Sequence, residues 1–175
     1  IDQNRLSSFF GTAMQNDFLY SDTVFENIRF GRDISDDDIV RAAKIAQAHD
    51  FITSFEDGYK HMLSSKGTNV SGGQRQRILI ARAIAASPEI LILDDSSSAL
   101  DYKTDALLRQ ALSKEMSNST VITVAQRISS VKNCEKILVL EKGEVIGYGT
   151  HEELLENCAP YKEISDSQMG GVLVD

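Results

Sequence analysis

The sequence predicts an α/β fold: a mostly parallel sheet with an inserted helical subdomain. Three observations carry that reading. Residues 90–93 (Ile-Leu-Ile-Leu) and 120–125 (Thr-Val-Ile-Thr-Val-Ala) are short apolar runs, the pattern of strands buried on both faces of a parallel sheet. Stretches with apolar residues at helical spacing alternate with these runs, and such alternation defines the α/β class. The stretch from residue 35 to about residue 62 reads as a helical insertion into that pattern.

Residues 9–14 (Phe-Phe-Gly-Thr-Ala-Met) read as a first strand. Ser35-Asp36-Asp37-Asp38 starts a helix, with a capping serine and acids in the first turn, where the helix dipole favours negative charge. Ile39, Ala42, Ala43 and Ala46 continue it as one apolar stripe. A second helix opens at Ser71 and carries Ile78, Ala81, Ile84 and Ala85 inward, and Pro88 marks the turn to the strand at 90–93. Leu107, Leu108, Ala111 and Leu112 give the next helix, ahead of the buried strand at 120–125. Residues 137–140, Lys142-Gly143-Glu144 and Val145-Ile146 read as an antiparallel hairpin. Thr150-His151-Glu152-Glu153 is a capping box opening a final helix. Tyr148 and Tyr161 read as packing residues.

At 175 residues the chain is long enough for a real core, and its 42% apolar and 25% charged residues are ordinary for a soluble domain. A net charge of −8 argues against nucleic acid as a partner, because phosphate binding needs a basic face; Arg75 with Arg77 is one local basic cluster. No apolar run approaches the roughly 20 residues of a membrane helix. The opening Ile1-Asp2-Gln3-Asn4-Arg5 lacks the apolar stretch of a signal peptide. Cys134 and Cys158, without Cys-x-x-Cys spacing, read as reduced structural thiols in a cytosolic setting.

Ser71-Gly72-Gly73-Gln74 fits a Ser-x-x-Gln capping box, but capping alone leaves the two glycines unexplained. Each costs up to about 1 kcal/mol in a helix relative to alanine. Side chains are best removed where another backbone or a phosphate must come close, and a helix N-terminus is a ready anion site. Asp94 ends the apolar run at 90–93, and the carboxyl end of a central strand is the usual ligand crevice of an open α/β sheet. A carboxylate there can hold Mg²⁺.

In this order and spacing, Val70-Ser71-Gly72-Gly73-Gln74-Arg75-Gln76-Arg77, residues 90–95 and Ser98-Ala99-Leu100-Asp101 resemble the signature loop, Walker B strand and D-loop of an ABC-type ATPase. The resemblance runs from about Phe9 to Leu155 and implies an ABC-type P-loop NTPase fold. The Gly-x-x-x-x-Gly-Lys-Ser/Thr phosphate loop that comes first in that family is absent. The chain therefore reads as the later part of a nucleotide-binding domain, truncated at its N-terminus. Residues 1–34 would be the Q-loop region, 35–70 the helical subdomain, 71–158 the signature, Walker B, D-loop and switch core, and 159–175 a C-terminal tail.

The resemblance implies ATP and Mg²⁺ as cofactors. Asp94 would take the Walker B role on Mg²⁺, and Gln15 the Q-loop role of reaching the metal and the attacking water. Ser71, Gly72, Gly73 and Gln74 would close over the γ-phosphate held by a second nucleotide-binding domain, in a head-to-tail dimer. Asp101 would link the two nucleotide sites, and it also suits the N-cap of the following helix. The phrase Thr23 to Gly31 resembles the exporter branch, which implies a transmembrane domain as partner. Phe18, Leu19, Tyr20 and Phe25 would then be a docking surface on the cytoplasmic face of the cell membrane.

Two positions depart from the family. Asp95 stands where strong hydrolysers carry Glu, and a carboxylate withdrawn by roughly 1 Å loses much of its reach to water. Gln126, in Thr123-Val124-Ala125-Gln126-Arg127-Ile128, replaces the switch His, and an amide neither carries positive charge nor shuttles a proton. Both point to a degenerate own site, hence a different subunit as partner in a heterodimer; the missing phosphate loop leaves the chain inactive by itself. Alternatives are a soluble ABC ATPase of DNA repair or translation, disfavoured by the Thr23–Gly31 phrase, and a non-hydrolytic regulatory module, favoured locally by Asp95 and Gln126.

Overall fold

Strands β1 (Phe10–Ala13), β2 (Ile90–Asp94) and β3 (Thr120–Val124) form a parallel sheet in the order β1-β2-β3. The computed structural model describes Leu6, residues 8–96 and residues 98–169, and divides into two units, Ile1–Val124 and Ala125–Asp175. In the first, Ala13 pairs with Leu93 and Asp94 with Val124, so neighbouring strands end at one edge of the sheet. That alignment places the residues after β1 beside those after β2.

Helix α4 (Gly72–Ala85) packs on β1 and β2, and Gly11 is what lets it come so close. A Cβ at Gly11 would stand 2.2 Å from the carbonyl oxygen of Ala83 and 2.7 Å from Cγ of Pro88. Against α4 lie α1 (Val24–Arg29) and α2 (Asp36–Ile45), followed by α3 (His49–Thr53) and 3₁₀ turns at Gly58–Lys60 and Ser65–Gly67. The expected α2 stripe of Ile39, Ala42, Ala43 and Ala46 is fully buried, and Ser35 caps the helix by accepting from the N–H of Asp38. Leu19, Val24, Ile28, Ile52, Ile78 and Leu91 join the same core. Burial stabilises each such side chain by about 1.5–3 kcal/mol. Helix α5 (Tyr102–Glu115) contributes Leu108 and Leu112.

Several expectations need correction. Helix α1 is not foreseen by the sequence reading; Thr23 caps it, accepting from the N–H of Glu26. Leu19 is not on a docking surface but fully buried, and Phe25 is half-buried against Tyr59. β3 is not buried: Val121, Ile122 and Val124 are exposed. Among the described residues β3 pairs on its β2 side alone, so its apolar composition is left uncovered. β2, expected to be buried on both faces, is buried on one, through Leu91 and Leu93, and half-buried on the other, at Ile90 and Ile92.

The second unit holds α6 (Ile128–Val131), the antiparallel hairpin β4 (Ile137–Glu141) and β5 (Glu144–Gly149), α7 (His151–Asn157) and α8 (Ala159–Met169). Lys142 and Gly143 both have positive φ, as a tight hairpin turn requires. The Thr150–Glu153 capping box is present. The helix it opens is not the last, because residues expected to be a tail form α8. Tyr161 packs as expected, whereas Tyr148 is exposed. Cys134 and Cys158 are reduced and not joined in a disulfide, and Cys158 is buried.

Candidate functional site

The common edge of β1 and β2 brings Gln15 and Asp95 together across 80 residues of sequence. The Gln15 amide donates from Nε2 to Oδ2 of Asp95 at 3.2 Å. Asp95 follows the last residue of β2 in the left-handed region, φ 46°, a conformation uncommon outside glycine and tolerated best by Asn and Asp. Its backbone is held there from two sides. Its N–H donates to the carbonyl of Val124 at 2.9 Å, and its own carbonyl accepts from the Ser98 hydroxyl at 2.9 Å. Strain at such a position persists only where the surroundings fix it.

Asp94 and Asp95 are half-buried at this edge and Gln15 is exposed. Among the described residues, no three His, Cys, Asp or Glu gather as a metal cage. Two carboxylates and a carboxamide oxygen are hard donors, too few to enclose a cation. That donor set fits Mg²⁺, which keeps waters and substrate phosphates in its shell, better than a metal needing a full protein cage.

At the start of α4, Ser71 and Gln74 form a reciprocal box. The Gln74 N–H donates to Oγ of Ser71 at 3.2 Å, and the Ser71 N–H donates to Oε1 of Gln74 at 2.9 Å. The two glycines between them differ. A Cβ on Gly73 would stand 3.1 Å from the carbonyl oxygen of Ala99, so the segment ahead of α5 accounts for that glycine; a Cβ on Gly72 would meet nothing within 4 Å. Nothing within the described residues explains Gly72, and it lies exposed in the first turn, where amides attract anions.

Arg77 is not part of an exposed basic cluster with Arg75. Its guanidinium turns inward, donating to the carbonyls of Gly73 at 3.2 Å and Gln47 at 2.7 Å over the ring of Phe51. Burial lowers its pKa, and the charge of Asp101 opposes that shift. Asp101 caps α5, accepting from the Thr104 N–H at 2.9 Å and hydroxyl at 2.7 Å. Those bonds, the backbone one first, hold its carboxyl below the usual range.

Gln126 lies in the second unit, exposed, with its backbone clamped. The Gln168 amide donates to the carbonyl of Gln126 and accepts from the N–H of Ile128, each at 2.8 Å. Sequence reading missed Gln168, although Tyr161, Ser165 and Gln168 recur at helical spacing. It also missed Asn27, Arg32 and Arg82, whose polar side chains carry no local pattern. Phe18, Tyr20 and Phe30 form an exposed aromatic row with ring centroids 5.0 and 5.5 Å apart. Among the described residues no helix is long and apolar enough to cross a membrane.

Two acids at the end of β2, beside the end of β1, with a capped, glycine-opened helix on the same sheet, are the arrangement of an α/β protein that receives a ligand at the carboxyl edge of its sheet. The ABC transporter family model matches residues 2–98, and the chain belongs to that family. It is 50% identical over 164 residues to the ABC transporter ATP-binding protein YknU of Bacillus subtilis (strain 168), covering 93% of this chain and 28% of that protein. It is 43% identical over 157 residues to the leukotoxin translocation ATP-binding protein LktB of Mannheimia glucosida, covering 89% and 22%. A solved bacterial Atm1-family ABC exporter with ATP bound superposes with a TM-score of 0.91 at 34% identity, over 97% of this chain and 30% of that one. The chain thus spans under a third of the length of these relatives.

Proposed function

We propose that this chain is the later part of the ATP-binding and hydrolysing domain of an exporter-type ABC transporter, working at the cytoplasmic face of a membrane. The observation that carries the reading is the likeness to an ATP-bound exporter over nearly the whole chain, together with the meeting of Gln15 and Asp95 beside Asp94. Asp94 and Gln15 would hold the Mg²⁺ that accompanies ATP, the ion supplying charge neutralisation on the phosphate oxygens. Ser71, Gly72, Gly73 and Gln74 serve the nucleotide of a second nucleotide-binding domain. The chain alone does not turn over ATP, lacking the loop that would cradle its phosphates. Phe18, Tyr20 and Phe30 are the surface that meets the transmembrane domain, since an exposed aromatic cluster marks an interface.

The partner domain is a different subunit. Asp95 has the shorter acid and gives its carboxylate to Gln15, and Gln126 cannot take up a proton. The signature box, by contrast, is complete. The pairing is thus one degenerate site with one competent site. Steady-state phosphate release by the full-length, assembled transporter tests it. Ser71→Ala or Gly72→Asp removes most turnover, and Asp95→Asn costs much less. Turnover stopped as fully by Asp95→Asn as by the signature changes would falsify the asymmetry.

A further inference from the structure

Arg82 lies in the last third of α4 and is 8% exposed; the charge of Asp17 acts on it, but among the described residues no carboxylate hydrogen-bonds its guanidinium. Its guanidinium donates from Nε to the carbonyl of Asn27 at 2.7 Å and from NH2 to Oδ1 of Asn27 at 3.1 Å. A third bond runs from NH1 to the carbonyl of Phe18 at 3.1 Å. The rings of Phe30 and Tyr20 lie over it, with centroids 4.5 and 5.7 Å from its central carbon. The Arg82 carbonyl in turn accepts from Arg32 at 2.6 Å.

Asn27, 1% exposed, extends the link. Its carboxamide accepts from the Tyr20 N–H at 2.8 Å and donates to the carbonyls of Tyr20 and Thr23 at 3.0 Å each. Two buried side chains thus fix the segment from Phe18 to Phe30, the one carrying the aromatic row, onto a single helix. That helix begins at the Ser71–Gln74 box. Eleven residues at 1.5 Å each put Ser71 roughly 16 Å along the axis from Arg82. A buried charge is costly to desolvate, and a well-packed apolar side chain stabilises a core at least as well. What a guanidinium adds is a planar fork that joins two separate segments at once.

We infer that Arg82 is a positioning residue that makes the aromatic row and the signature loop one mechanical body, so that movement at either end is carried to the other. This rests on the reading of those two ends given above. The test uses the full-length protein in lipid nanodiscs, with other exposed cysteines replaced and an environment-sensitive fluorophore on Ser21→Cys, beside the aromatic row. MgATP is the probe. The wild-type label responds to MgATP. Arg82→Lys keeps the charge and loses the fork; it leaves the KM for ATP unchanged while most of the label's response is lost. Arg82→Lys that keeps the full label response overturns the inference. So does a variant that merely raises the KM and lowers the melting temperature together, as loss of packing would. Should Arg82→Lys not fold, Asn27→Ser leaves the arginine and its two bonds to backbone carbonyls but removes the carboxamide that joins it to the Tyr20 backbone, and a partial loss of response is expected; an unchanged response overturns the inference. A silent wild-type label overturns the docking reading along with the inference; a responsive wild type with a responsive variant overturns the inference alone.

Discussion

Replacing Gly72 by alanine is expected to raise the stability of this chain while sharply lowering turnover of the full-length transporter. Gly72 opens α4 without a positive φ, and a Cβ there meets nothing within 4 Å. Alanine therefore adds no clash and restricts the unfolded chain, a gain of about 0.4–1 kcal/mol. For a chain of this size that raises the melting temperature by about 1–4 °C. Gly73→Ala is the internal control. Its Cβ would press on the Ala99 carbonyl at 3.1 Å, so the gain is offset by a shift of the D-loop segment, and the melting temperature does not rise. In the full-length transporter the methyl group of the alanine variant would stand where, on the proposed reading, a phosphate approaches the first turn of α4. Losing one hydrogen bond to a charged group costs about 1.5–3 kcal/mol, or roughly 10- to 150-fold in turnover. Thermal melts of the 175-residue chain and phosphate release by the full-length protein check the two halves. If Gly72→Ala lowers the melting temperature, or leaves turnover intact, the open space at Gly72 is not a ligand approach and the reasoning fails.

The isolated chain is expected to show no measurable ATPase and only weak binding of Mg-ATP; calorimetric titration giving micromolar affinity contradicts this. Cysteine at Phe18 or Tyr20 is expected to cross-link to a cytoplasmic loop of the transmembrane domain, whereas cysteine at the buried Leu19 does not; equal yields at all three positions refute the surface assignment. Asp101 has a folded-state pKa below its unfolded value, through its bonds to Thr104, so it contributes stability that is present above the ordinary carboxylate range and lost as pH falls through the depressed pKa. Asp101→Asn is expected to flatten that acid limb of stability measured by urea melts, and an unchanged limb shows that the cap does not titrate with folding.

The sequence made visible what is settled within three or four residues. Ser35 with Asp38, Ser71 with Gln74 and Thr150 with Glu153 are caps whose two partners lie in one turn, and all form. The Gln15–Asp95 pair needed more. Its members lie 80 residues apart and meet because β1 and β2 run parallel in a register that ends both at one edge, which the likeness to a family implied and no local pattern did. Arg82 and Asn27 escaped notice for the same reason: their partners are 55 residues apart, and an arginine in a helix reads as a solvated residue until the fold covers it. β3 failed in the opposite sense. Its composition calls for burial, but burial belongs to whatever packs on it, and among the described residues nothing covers Val121, Ile122 and Val124.

Gly72 and Gly73 sharpen the point. As letters in a sequence they are equivalent, two residues that weaken a helix start and together ask for an outside reason. The fold gives Gly73 an inside reason, the Ala99 carbonyl, and leaves Gly72 without one. One glycine rather than two, Gly72, therefore points to a ligand at this helix, and it lies exposed beside the Ser71–Gln74 box. If that space serves a phosphate and a second backbone, as proposed, the position at which alanine helps folding is the one at which it weakens the chain's service to its partner.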